Sequence, residues 1–370
     1  MPRSFEHVPE HTLPPSAAGG DGRLETVARL LRPAERPVVE DFPPTPTGWA
    51  QTVGLSWPDA GDRCVVRLIA QDGPVDEDAA EAVRVEFAAA RLLGDAGIAP
   101  RVRCALQGSG VLVMDRVDGT PARPASRPQA LSLARLLARL HRLEWPEPAR
   151  LYAAKQRVAN RQVRRRSAVW PALGHYRQAL ACYDALRGAL GALAVAPVLC
   201  HNDLNPGNIL FDAGRAWLVD FDHVGPGDPL FDVATVLRSL ALGPGLAEEF
   251  LGTYLDRSPT AAERDRLVLL DALVLLRYGL SALSLVPEQD LGAAAETDPG
   301  EAFVFERRAG EPLGRSVLRL SLGFTAAGLA RAQGPELAGA TRRLGVAAAL
   351  GAGVERALDE VVGHVAAVRG

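Results

Sequence analysis

The run Cys200-His201-Asn202-Asp203-Leu204-Asn205-Pro206-Gly207-Asn208-Ile209-Leu210 limits what this chain can fold into more than any other stretch. Pro206 followed by Gly207 can neither continue a helix nor sit in a central strand. The pair forces a tight reversal that would bring Asn208 back toward Asp203. A short β-like interval follows, Ile209 to Phe221, interrupted by Asp212-Ala213-Gly214 and carrying Asp220 and Asp222 at its far end. Two aspartates and an asparagine at this spacing are costly to bury without partners, which argues against a mere polar turn beside a strand pair.

The pattern on the N-terminal side is β-rich. Residues 1–22 carry Pro, Gly and acidic residues without period and read as a loosely ordered tail. A short helix pattern from Leu24 to Leu31 is broken by Pro33 and Pro37. Val38 to Phe42, Ala50 to Trp57 and Cys64 to Ile69 then read as strands, the last two joined by a turn at Pro58-Asp59-Ala60-Gly61-Asp62. Ala79, Val83, Phe87, Ala90 and Leu93 follow the spacing of an amphipathic helix over 76–97. Arg101 to Leu106 and Val111 to Asp115 read as two further strands around Gly108-Ser109-Gly110. A lobe of five strands and one main helix therefore spans 23–117, with a Pro-rich hinge or linker over 118–128. From 129 to 370 the pattern is mostly helical: 131–143, a polar-faced stretch over 152–191, 229–256, 260–285 and 314–369.

Composition removes several classes of function. At 370 residues, 48% hydrophobic and 23% charged, the chain can bury a sizeable core and is far from the profile of disorder. A net charge of −3 gives no global attraction to nucleic acid or to an anionic membrane. Lys155 is the sole lysine among 41 basic residues, so the arginines reflect a compositional bias rather than a function. Cys64, Cys104, Cys182 and Cys200 lie tens of residues apart on apolar stretches with no C-x-x-C pair, which reads as buried thiols in a reducing cytoplasm. The N-terminus lacks the apolar segment of a secretory signal. Leu267 to Val286 is the most apolar run, but Asp271 and Arg277 mark it as a buried helix rather than a membrane span.

Asp203, Asn208 and Asp220 are the parts that phosphoryl transfer needs. One carboxylate orients an acceptor hydroxyl and takes its proton, and two oxygen ligands hold magnesium against the phosphates. His201 stands where the histidine of H-x-D-x-x-x-x-N holds its loop. Two further elements accompany the loop: Leu136-Leu137-Ala138-Arg139-Leu140-His141, and Gly227-Asp228-Pro229-Leu230-Phe231-Asp232-Val233-Ala234.

With these three ordered motifs the chain resembles the aminoglycoside phosphotransferase and choline kinase superfamily, the small-molecule branch of the protein-kinase-like fold. His201-Asn202-Asp203 is closer to the choline-kinase-like variant, and the likeness runs from about Val38 to Tyr278. The resemblance implies a two-lobed α+β fold, with a small antiparallel-sheet lobe carrying one main helix and a larger, mostly helical lobe. It makes Asp203 the catalytic base, Asn208 and Asp220 magnesium ligands, and Val113 to Val117, with Met114, Asp115 and Val117, the hinge against the adenine edge. Arg67 takes the place of the strand-3 lysine with Glu86 as its ion-pair partner, and it reaches the phosphates or serves Glu86 alone. An arginine there is not interchangeable with a lysine. The phosphate-covering loop departs from the family: Pro43-Pro44-Thr45-Pro46-Thr47-Gly48-Trp49 replaces a glycine-rich turn, leaving the Thr45 and Thr47 hydroxyls and a few amides to hold phosphate.

The expected activity is therefore transfer of the γ-phosphate of ATP or GTP, with magnesium, to a hydroxyl of a small metabolite or antibiotic. Neither nucleic acid nor a membrane is an expected partner. Asp222 is a candidate for the metal shell or for an acceptor-facing carboxylate. Asp232 reads as an acceptor anchoring the loop. Arg157, Arg161 and Arg165 recur every four residues and share one helix face. Arg157 and Arg161 are therefore candidates to disfavour a strongly cationic aminoglycoside, although the same face reads equally as a solvated helix. The rival reading is a non-catalytic kinase-like protein that binds nucleotide or a partner in a regulatory role, supported by the proline loop and Arg67. A protein-directed kinase is disfavoured, because Asp222 to Asp228 leaves no room for an activation segment.

Overall fold

The structure is a computed structural model. It describes residues 22–42, 50–69, 77–121, 123–145, 161–167, 169, 173–193, 195–304, 311–348 and 350–351. The chain divides into two compact units, Met1–Pro121 with Asn208–Val224, and Ala122–Gly207 with Gly225–Gly370. The hairpin that follows the Pro-Gly reversal thus belongs to the first unit, and the loop carrying Asp203 to the second.

In the first unit, α1 (Gly22–Leu31) precedes a five-stranded antiparallel sheet of β1 (Val38–Asp41), β2 (Ala50–Trp57), β3 (Asp62–Ile69), β4 (Val102–Leu106) and β5 (Val111–Asp115), in the order β1-β2-β3-β5-β4. Side chains alternate between the two faces of a strand. Val53, Leu55 and Trp57 of β2 and Cys64, Val66 and Leu68 of β3 accordingly share one core with Val111 and Val113, covered by Val27 and Ala28 of α1. The same alternation sends Arg67 to the opposite face. There α2 (Glu77–Asp95) presents its buried stripe, Val83, Phe87, Ala90 and Leu93, with Glu86 among them. Buried Arg23 fastens α1 to the sheet by donating to the carbonyls of Ile69 and Ser109, each at 2.9 Å. A hairpin, β7 (Ile209–Asp212) and β8 (Arg215–Leu218), joins the unit where Leu218 N donates to Ile98 O at 3.0 Å. Thr120 and Phe211 exchange backbone hydrogen bonds at 3.1 and 3.0 Å, which ties the start of the 118–128 stretch to that hairpin.

The second unit is helical apart from a two-stranded ladder, β6 (Val198–Cys200) with β9 (Gly225–Gly227). Its longer helices among the described residues are α3 (Arg127–Leu140), α4 (His175–Gly191), α5 (Pro229–Ser239), α6 (Pro244–Leu255), α7 (Ala261–Leu285), α8 (Leu313–Ala332) and α9 (Pro335–Arg343), with a helical segment at 161–167 and a single turn at Glu288–Leu291. The α3 helix starts four residues before the expected Leu131, inside the stretch read as linker. Ser126 caps it with Gln129 in a reciprocal box, and Pro128 falls in the first turn, where its missing N–H is no loss. By length and composition α7 could cross a membrane. It is instead the central helix, packed on α4, α5, α8 and α9. Its Asp271 takes Arg238, and its Arg277 donates to Asn202 O. The α8 helix lies against it closely enough that a Cβ on Gly279 would stand 2.3 Å from Thr325 Oγ1, so only glycine fits there. The apolar residues after Gly314 thus pack within the unit.

Cys64 and Cys200 are buried as expected, whereas Cys104 and Cys182 are half-buried; all four are free thiols. The proposed tail, apart from Gly22, lies outside the described residues, as do the proline loop with Thr47 and the basic residue Arg157.

The N-terminus of α7 carries a titrating contribution to stability. Thr260 Oγ1 accepts from Glu263 N, and the Glu263 carboxylate accepts from Thr260 N at 2.7 Å. Hydrogen bonding to Arg257, ahead of these caps, holds Glu263 down to about 2. A depressed carboxylate contributes stability that is complete above its unfolded value of 4.5 and is lost as pH falls toward about 2. Glu263→Gln is therefore expected to cost about 0.5–1 kcal/mol at pH 7, small because Arg257 is exposed. Urea melts of both proteins should converge as the pH is lowered through that window, and a difference that persists unchanged at pH 2 would contradict the assignment.

Candidate functional site

Two polar centres stand out, one in each unit. In the first, Arg67 on β3 is buried and its Nε donates to Glu86 Oε1 at 2.5 Å. Its second arm, NH2, donates to Asp220 Oδ1 at 2.9 Å. Burial works against the guanidinium cation, but Glu86, Asp220 and Asp222 outweigh it and hold the group above its ordinary value. Sequence reasoning paired Arg67 with Glu86 and left Asp220 out; both carboxylates are bonded to it.

The hairpin ladder explains how Asn208 and Asp220 come together. Ile209 pairs with Leu218, and Val219 N donates to Asn208 O at 3.1 Å, so both residues lie at the same end of the ladder. Asp220 turns the chain there with φ 66°, a left-handed conformation that aspartate reaches more readily than most non-glycine residues. An amide oxygen and a carboxylate are the hard donors magnesium takes, so this donor set fits such an ion. Asp222 lies two residues on, and the neighbouring His223 has its Nδ1 2.7 Å from Asp222 Oδ1.

The hinge residues fall on β5 and just beyond it. Met114 pairs with Val65 and Val102, while the Asp115 amide donates to Arg101 O at 2.8 Å. The Asp115 carboxylate accepts from Arg103 at 2.6 Å, so this side chain serves the sheet edge. Val117 follows in the segment leading to Thr120.

In the second unit the loop 201–207 is fastened from below and from the side. Buried Asp232, near the start of α5, accepts from His201 N at 2.7 Å and Asn202 N at 2.8 Å. It also faces His141 Nε2 at 3.2 Å, and His141 Nδ1 meets the Tyr254 hydroxyl at 2.8 Å. A carboxylate can only accept, so a neutral His141 carries its proton on Nε2 and takes the Tyr254 proton on Nδ1. Asn202 has φ 63° and gives its side-chain amide to Gly225 O at 3.1 Å. A Cβ on Gly227 would stand 2.8 Å from Asn202 Oδ1, so this approach of β9 to the loop requires glycine.

Asp203 emerges from this scaffold half-exposed, with one oxygen accepting the Tyr278 hydroxyl at 2.6 Å and the other Asn205 Nδ2 at 3.2 Å. Asn205 Oδ1 in turn accepts Gly207 N at 2.9 Å, which closes the turn the Pro-Gly pair demands. Arg161 is exposed on its helical segment, but Arg164 pairs with Asp184 at 2.9 Å and Arg166 donates to Leu283 O.

Sequence reasoning missed Tyr278, Arg277 and Asn205 as partners of this loop. One signal was present: a cation inside the apolar run 267–286 must find an acceptor when buried. Arg277, 4% exposed, finds the Asn202 carbonyl and lies over the Phe231 and Tyr278 rings, 5.3 Å from each centroid.

A carboxylate presented on a braced loop and an Asn–Asp pair at the end of a hairpin define a protein of the kinase-like α+β class. A model of the phosphotransferase enzyme family matches residues 42–268, more than half of the chain. The chain belongs to that family. Its likeness to a curated relative, protein LicA from Haemophilus influenzae, is 39% identity over 59 residues, covering 16% of this chain and 22% of the relative. The match thus spans about a fifth of that relative's length. Among solved structures, a choline/ethanolamine kinase family protein from Mesorhizobium loti aligns with a TM-score of 0.61 at 20% identity, covering 88% of this chain and 98% of the other. Choline kinase LicA from Streptococcus pneumoniae aligns with a TM-score of 0.52 at 17% identity, covering 74% and 96%. At such identities these likenesses speak for the fold, which is the α+β fold of those kinases.

Proposed function

We propose that the protein transfers the γ-phosphoryl group of ATP or GTP to a hydroxyl of a small molecule. The observation that carries this reading is Asp203, held by Tyr278 and Asn205 on a loop whose backbone is clamped by Asp232. In this reading Asp203 orients the acceptor hydroxyl and receives its proton, and Asn208 and Asp220 hold magnesium. When bound, the ion neutralises charge on the phosphates; the protein's part is positioning. Membership of the phosphotransferase enzyme family supports the reaction class. The acceptor we propose is not a strongly cationic aminoglycoside, a cationic face favouring an anionic or neutral molecule, on the support of exposed Arg161 and Arg165. Efficient turnover of kanamycin at micromolar concentration would refute that choice.

A second reading, a kinase-like protein that binds nucleotide without catalysis, draws support from Arg67, whose guanidinium is engaged by both Glu86 and Asp220. A thermal-unfolding titration with ATP and GTP, each with and without magnesium, separates the readings when followed by ADP or GDP release with choline, ethanolamine and hydroxylated antibiotics. Phosphotransfer predicts a magnesium-dependent stabilisation of about 2.7 kcal/mol at ~100 times the dissociation constant, and release that rises with one acceptor. Stabilisation without release across the panel favours the second reading in its nucleotide-binding form, and no stabilisation by millimolar nucleotide favours a non-catalytic kinase-like protein that binds a partner instead.

A further inference from the structure

Tyr278 lies on α7 beside Arg277, and its hydroxyl donates to Asp203 Oδ1 at 2.6 Å, the length of a charge-assisted O–H···O bond. Its ring is held on two sides. It stacks on Phe324 with centroids 5.4 Å apart and meets Phe303 edge to face at 4.9 Å. Phe303 and Phe324 in turn meet edge to face at 4.9 Å, and both are 1% exposed.

Phe303 has φ 63°. For a bulky side chain this backbone is an outlier costing about 1–3 kcal/mol, and such strain persists only where the surrounding structure over-determines it. The ring held at that cost bears on Tyr278, and Tyr278 bears on Asp203. A strained residue, an aromatic wedge and a short hydrogen bond therefore form one chain of contacts that ends on the carboxylate.

We propose that Tyr278 is a positioning residue for phosphoryl transfer, braced by Phe303, which fixes the Asp203 carboxylate in the one orientation that receives the acceptor hydroxyl. The proposal rests on the reading of Asp203 as the group that orients the acceptor. A carboxylate on a half-exposed loop would otherwise rotate among several orientations, and the loss of a productive geometry by about 1 Å costs on the order of 100-fold in rate. Tyr278 would act through Asp203 and not on the nucleotide.

The test is Tyr278→Phe, which keeps the ring and its stacking and removes only the hydroxyl. The full-length protein is assayed for ADP release from magnesium-ATP with water as the acceptor and with choline, beside Asp203→Asn. The expected result is a kcat lowered roughly 10- to 100-fold for any acceptor the wild type uses, with the KM for ATP within roughly two-fold and the melting temperature unchanged. Wild-type kcat in Tyr278→Phe overturns the proposal, as does a loss that comes only with a matching rise in KM for ATP and a lower melting temperature. In either case an Asp203→Asn variant that has lost turnover leaves the phosphotransferase reading in place. A wild type that releases no ADP with water, choline, ethanolamine or the hydroxylated antibiotics, or an Asp203→Asn variant as active as wild type, removes that reading and the proposal together.

Discussion

Asp203→Asn is expected to lower turnover by about 10²–10⁴-fold while nucleotide affinity is retained. The amide has the shape of the carboxylate, and its oxygen can still accept the Tyr278 hydroxyl; its NH2 group loses the bond from Asn205 Nδ2, while the Asp232 clamp on the loop backbone stays in place. In the proposed role, what is lost is the ability to take a proton from the acceptor as its oxygen bonds to phosphorus. Asp220→Ala should behave differently. It removes one of the two oxygen donors at the end of the β7–β8 ladder and also a partner of Arg67, so magnesium-dependent nucleotide binding should fall with turnover. Product release and the magnesium-dependent thermal shift, measured side by side on both variants, separate the two roles. Undiminished turnover in Asp203→Asn ends the assignment of that residue.

Arg67→Met is expected to destabilise the protein by about 3–5 kcal/mol, the cost of leaving a buried carboxylate without its cation. Glu86 is 2% exposed on α2 and faces Arg67 at 2.5 Å. Arg67→Met combined with Glu86→Leu should recover most of the loss, because a well-packed apolar pair of similar volume is often neutral or better. Denaturant melts of the two variants against wild type give both numbers. A single variant within about 1 kcal/mol of wild type would mean that the pair is solvated and not structural. The double variant also bears on function: recovered stability with lost nucleotide response would place the worth of Arg67 in binding rather than in folding.

The five strands and the two turns between them could be reached from the chain because their signals are local, whereas the pairing of β3 with β5 brings together residues about fifty apart and was not. Alternating apolar residues over Val53–Trp57, the continuous apolar run Val111–Met114, and turn residues at 58–62 and 108–110 place those strands with little tertiary help. The short ladder of Val198–Cys200 with Gly225–Gly227 was not legible, since Gly-Pro-Gly reads as a turn until Cys200 and Asn202 are seen to need a backbone beside them. The start of α3 was missed for a related reason: Pro128 reads as a breaker, and only the Ser126–Gln129 cap shows that it opens the helix.

At the site the division follows the range of the forces. Asp203, Asn208, Asp220 and Asp232 could be named from spacing, because the Pro206-Gly207 reversal and the two strands that follow it are consequences of adjacent residues. The partners of those groups could not be named. Tyr278 and Arg277 lie some seventy-five residues beyond the loop they serve, Asp220 meets Arg67 across 153, and Phe303 adopts a backbone its own residue type disfavours. Local preference says which groups a chain must place in polar surroundings. Which distant side chain satisfies each one is decided by packing, because a buried charge or an orphaned amide accepts whatever donor the assembled core brings within reach.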